Sequence, residues 1–172
     1  VQAQIGERLD VTPVAAPGNK VYELLQQGVT DGVFMPMTEQ KAQRLVEVAP
    51  YITVLPTGMY MGSFVMFMNP DFLDSLDPKD RDAILAVSGE KLSAMAGKAW
   101  DKADKEALEF AISQGAKVTL LTEDDPLTLE YSEKMTGLDE AWLERVKDKK
   151  VDAKAALEAL RTEAKSYAEQ QQ

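Results

Sequence analysis

Apolar residues in this chain recur in two rhythms, and the change between them marks the elements. Val21, Leu24, Leu25 and Gly28 fall at helical spacing, which gives one inward face over residues 19–30. Asp31-Gly32 predicts the stop, because glycine enters the left-handed conformation cheaply. The same reading predicts helices over residues 1–9 and 38–48. Short apolar runs between turn residues predict strands over 11–15, 51–55 and 116–121. Residues 60–68 are apolar at nearly every position, the pattern of a strand buried on both faces.

Helix dominates from residue 77 onward. Asp77 is placed to cap, Pro78 suits the first helical position, and Asp80 puts negative charge in the first turn. The pattern runs on to Gln114, with Gly115 as the stop. One helix over 79–114 would be about 54 Å long, bent at most near Gly89 or Gly97. Asp125-Pro126 opens a helix closed by Gly137, Asp139 opens the next, and Asp152 caps the last. Short apolar runs alternating with capped helices predict an α/β fold.

Composition narrows the function. The 172 residues suit one domain with a sizeable core. A hydrophobic content of 45% and a charged content of 28% are those of an ordinary soluble chain. A net charge of −10 argues against nucleic acid and anionic membranes as partners. There is no Cys, hence no disulfide or thiol chemistry, and no His. Without His the usual general base, the Ser-His and Cys-His nucleophile systems and most transition-metal sites are gone. No phosphate-cradling glycine motif or EF-hand loop occurs, and no apolar run is long enough to span a bilayer. An enzyme is not expected.

Residues 17–36 carry the pattern P-x-x-x-V-Y-E-x-L-Q-Q-G-V-x-D-G-x-x-x-P. It resembles the solute-binding proteins of tripartite ATP-independent periplasmic (TRAP) transporters, DctP type. Met59-Tyr60-Met61-Gly62-Ser63-Phe64, Met68-Asn69-Pro70, Ser88-Gly89-Glu90 and Gly97-Lys98-Ala99-Trp100-Asp101 with Asp104 extend the likeness in order along the chain. Members are two-lobed, and this chain resembles their C-terminal half. The resemblance implies a partial type II periplasmic-binding-protein-like lobe, with a long spanning helix and a helical C-terminal region. Residues 1–58 would be a second-lobe segment, 59–115 a strand and long helix crossing between lobes, and 116–172 a strand and C-terminal helices. It implies a periplasmic protein that binds a small organic acid for uptake by TRAP membrane subunits, with no cofactor.

The resemblance also points to site residues. The family's anchoring arginine, which pairs with the ligand carboxylate, would lie on a strand upstream of Val1; Arg8 does not match it. The loop before the helical stretch 21–27 often carries a ligand-touching aromatic, and here it holds Gly18 and Asn19. The residue before the last proline of the pattern is often Asn or aromatic, and here it is Met35, beside Phe34. Tyr60, with Phe64 after it, falls near a site position on a later strand. Met35 in place of a polar group, beside Phe34, implies a less polar ligand or a changed pocket. As residues alone, Phe34, Met35 and Tyr60 read more readily as core, and the resemblance brings the two readings level.

Three other features compete. Met35-x-Met37, Met59-x-Met61 and Met66-x-Met68 are soft-ligand pairs that would suit Cu(I), yet period-two spacing on a strand also serves a core. Glu123-Asp124-Asp125 and Asp77-x-x-Asp80 could bind Ca²⁺, but both precede helices, where carboxylates cap. Trp100 reads as core packing, and the C-terminal Lys and Glu residues as a solvated face. Half of a two-lobed protein exposes apolar surface, so the chain is expected to self-associate, with 60–68 and the long helix exchanged. The alternative is a stand-alone dimeric interaction domain without ligand binding.

Overall fold

The computed structural model describes residues 2–56, 58–60 and 62–169, apart from the side chains of 168 and 169. Its elements in order are α1 (Gln2–Arg8), α2 (Val21–Gln26), α3 (Glu39–Ala42), β1 (Tyr51–Val54), α4 (Pro70–Ser75), α5 (Pro78–Val87), α6 (Glu90–Ser113), β2 (Lys117–Leu120), α7 (Pro126–Lys134), α8 (Leu138–Val146) and α9 (Ala153–Glu169). Short 3₁₀ turns occupy Gly18–Lys20 and Leu45–Glu47. Two compact units divide between Thr128 and Leu129.

In the first unit β1 and β2 pair in parallel, from Tyr51 opposite Lys117 to Val54 opposite Leu120. Val46, Ile52 and Ala111 form the core cluster, with Met37, Val54, Phe110 and Val118 packed on it. Leu45 is completely buried. The sheet thus joins the loop after α3 to the end of α6. In the second unit Arg161 of α9 donates to Asp139 of α8 at 2.6 Å, and Trp142, Leu143 and Leu157 are half-buried. Among the described residues no helix is long and apolar enough to cross a membrane.

Local signals behave as chemistry demands. Asp125 Oδ1 accepts from Leu127 N at 3.0 Å, and Asp152 Oδ1 accepts from Ala155 N at 3.0 Å. Gly115, at φ 86°, closes α6, whereas α7 ends at Lys134 and Gly137, expected to close it, stands at φ 84° as the N-cap of α8; a side chain would be strained at either glycine. Asn69, not foreseen as a cap, accepts from Asp71 N at 2.8 Å and starts α4 with Pro70 behind it. Asp77 makes no side-chain cap bond, contrary to expectation.

Three larger expectations fail. Residues 11–15 are not a strand, and Val11 and Val14 stand exposed. Of the run 60–68, Met61 lies outside the described residues; Tyr60 and residues 62–68 form no strand, and Phe67 is 90% exposed. Neither run has a ladder partner among the described residues, and a lone extended segment leaves its backbone groups to water. The single helix over 79–114 is instead α5 and α6, separated at Ser88-Gly89. Gly89 sits at φ 65°, ψ −136°, a conformation that breaks the helical hydrogen-bond ladder and is essentially confined to glycine.

Two shorter helices also end early. The 19–30 helix stops at Gln26, and Gly28, at φ 67°, makes the exit ahead of Asp31-Gly32. The 38–48 helix breaks at Arg44, which adopts the left-handed conformation at φ 57°.

Candidate functional site

The site is built around the loop that links α2 to α3. Gly18 opens the 3₁₀ turn before α2 and is exposed; a Cβ there would stand 3.9 Å from Met35 Cε and 3.7 Å from Gln43 Nε2. Gly18 is not held at positive φ, so its backbone does not require glycine. Gln43 Nε2 donates to Glu39 Oε2 at 2.6 Å. Phe34 turns the other way: its Cε2 lies 3.7 Å from where a Cβ on Gly6 would be. Phe34, Met35 and Pro36 are half-buried.

A charged brace holds α2 against the turn after α3. Tyr22 donates to Glu47 Oε2 at 2.9 Å, and Arg44 Nε donates to Glu47 Oε1 at 2.7 Å. The bond from Arg44, seconded by the one from Tyr22, holds the Glu47 carboxyl below its ordinary range. The phenol of Tyr22 is raised in return by its bond to Glu47.

On the far side of the loop lies an apolar groove of about 450 Å³, lined by Thr38, Ala96, Ala99, Trp100 and Ala103. Ala96, Ala99 and Ala103 share one face of α6. Trp100 is 43% exposed, which corrects the reading of it as core. Its ring stacks with Phe64 at 5.1 Å between centroids and 30° between planes. Asp104, one turn further along α6, accepts from Thr38 N at 3.1 Å.

Six residues were expected at the site. Gly18 and Met35 come together. Asn19 is exposed on the same turn as Gly18, and Phe34 faces α1. Phe64 lies against Trp100 instead, and Tyr60 is half-buried ahead of it. Thr38, Gln43 and Asp104 carry contacts that sequence reading did not assign. Asp104 did stand out as the last residue of the resembling pattern.

Burial pushes the Asp104 carboxyl above its ordinary range; the Thr38 N–H opposes this and the neighbouring charge of Asp101 adds to it. A carboxyl raised on folding binds its proton more tightly in the native state. Its stabilising share is full below the ordinary pKa of 3.8 and is lost as pH rises through the raised value. Asp104→Asn keeps an acceptor for Thr38 and removes the buried charge. The variant is therefore expected to melt at or above the parent's temperature at neutral pH. The gap should close as pH falls towards 3.8, in thermal melts across that range. A gap that widens on acidification would contradict this sign.

Residues 1–130 match the profile of the bacterial extracellular solute-binding proteins, family 7 (DctP). The chain belongs to that family. Over 165 residues, 95% of this chain and 48% of the relative, it is 28% identical to the outer membrane transporter protein TsaT of Comamonas testosteroni. Among solved structures it is similar to a TRAP periplasmic solute-binding protein from Bordetella bronchiseptica with bound (R)- and (S)-mandelate. That match has 32% identity and a TM-score of 0.83, over 97% of this chain and 52% of the other. A marine-metagenome TRAP solute-binding protein specific for aromatic acid ligands, in complex with metahydroxyphenylacetate, matches with a TM-score of 0.74 at 25% identity. There the match covers 90% of this chain and 48% of the other. The family 7 chain described here thus spans about half the length of these relatives.

Proposed function

We propose that this chain is the C-terminal part of a periplasmic TRAP solute-binding protein. It forms one wall of the solute site, and its solute is an aromatic carboxylic acid. The observation that carries the reading is Gly18 beside Met35. A position without a side chain, on a backbone that does not require glycine, leaves room next to a thioether. An aromatic ring fills such room well, because sulfur–aromatic contacts add about 0.3–1.5 kcal/mol to area burial. Two structural relatives hold aromatic acids, mandelate and metahydroxyphenylacetate, which agrees with the chemistry of that wall. The solute would be handed to TRAP membrane subunits, a binding role without catalysis.

The test is a chimera in which this chain replaces the matching part of the Bordetella bronchiseptica protein. Calorimetry with (R)-mandelate, metahydroxyphenylacetate and succinate is expected to rank both aromatic acids above succinate. Met35→Ala in the chimera is expected to weaken mandelate about tenfold, the loss of one close side-chain contact. Preference for succinate, or a Met35→Ala variant that binds mandelate as tightly as the parent, would overturn the reading.

A further inference from the structure

We propose that Asp104 is a positioning residue for the solute-facing loop: its carboxylate, delivered by α6, holds Thr38 and through it sets where Met35 stands against Gly18. The proposal rests on the solute-binding reading above. Residues 33–36 have no regular structure and α3 is four residues long, too short to hold a conformation by its own hydrogen bonds. Thr38 begins α3, yet its side chain makes no cap bond. The partner for its N–H comes from 66 positions away, at 3.1 Å and partly buried. A bond to a carboxylate is among the stronger kinds, and it is directional.

Local backbone bonds, such as Glu39 N to Pro36 O at 3.1 Å and Gln40 N to Met37 O at 3.0 Å, shape the turn but tie it to no other element, and the remaining ties on this segment are of a different kind. Met37 packs on the core cluster and Phe34 lies against Gly6, contacts without direction. Lys41 and Glu106 pair at 3.8 Å with both side chains about half exposed, an arrangement worth little. Met35 itself touches Gly18 only at van der Waals range. Pro36 stands between Met35 and Met37, and its fixed φ makes that link stiff. Displacing Thr38 therefore displaces Met35. The chain also keeps a partly buried carboxylate where a neutral amide would make the same bond, and charge kept at a cost is a mark of functional sites.

The test reads the loop directly. In this chain labelled with ¹³C-methyl methionine, Asp104→Leu is expected to shift the Met35 methyl resonance and to speed amide exchange at Thr38 by about tenfold or more. The Met135 methyl serves as the internal control. Asp104→Asn retains the acceptor and is expected to restore both signals, a rescue that nonspecific loosening of α6 would not give. Should Asp104→Leu not fold, Asp104→Ala removes the same acceptor with a residue that suits a helix. An unmoved Met35 methyl in the folded Leu or Ala variant overturns the proposal, as does an Asn variant that behaves like Leu. If the methyl moves while the chimera's mandelate affinity does not, the loop anchor stands and the solute-wall reading falls.

Discussion

Alone, this chain is expected to bind mandelate at least about a hundredfold more weakly than the same residues do in the chimera. Gly18 and Asn19 are exposed and the groove beside Thr38 and Trp100 is open, so a ligand here would keep much of its surface in water. Its carboxylate also needs a partner. Arg44, the arginine next to the site, is held by Glu47 at 2.6 Å, and Arg161 is taken by Asp139. Removing one member of a buried charge pair costs about 3–5 kcal/mol, and each 1.4 kcal/mol is about tenfold in affinity. Calorimetry of chain and chimera side by side decides this. Equal affinity would mean that the chain carries its own anion partner and a complete pocket.

A second large effect is expected in the core. Leu45→Ala should cost about 2–5 kcal/mol, as truncation of a fully buried leucine does. Leu45 is completely shielded, while few other large side chains in the first unit are: Ile5 at 2%, Val46 at 5% and Ile52 at 8% exposed. A domain's whole stability is about 5–15 kcal/mol, so this one side chain carries a large share. The loss also reaches the site, because Leu45 and Val46 follow directly on the Arg44 break that places Glu47 under Tyr22. Urea unfolding followed by tryptophan fluorescence is expected to show a much lower midpoint with an unchanged slope. A shift equivalent to less than about 1 kcal/mol would show that the turn collapses around the gap at little cost.

Of the six positions expected at the candidate site, two come together in the structure. Met35 and Gly18 were legible because a family pattern frames them, and the structure puts them together. Phe64 and Tyr60 were placed on an assumed strand. Without that strand Phe64 turns to Trp100, a residue taken for core and found partly exposed. Thr38 and Asp104 could not be paired from sequence, since nothing local links residues 66 positions apart.

What the sequence determined by itself are the features that depend on neighbours a few residues away. Asp125-Pro126 and Asp152 start helices because a carboxylate can reach an N–H two or three residues on. Gly115 ends α6 because only glycine takes its φ without strain. The apolar runs at 51–55 and 116–121 were expected as strands, and most of each became one. The run at 11–15 and the described part of 60–68 were expected as strands too, yet formed none. Tertiary structure alone decided between them, because a strand is stable only when a second one satisfies its backbone groups, and β1 and β2 found each other across more than sixty residues.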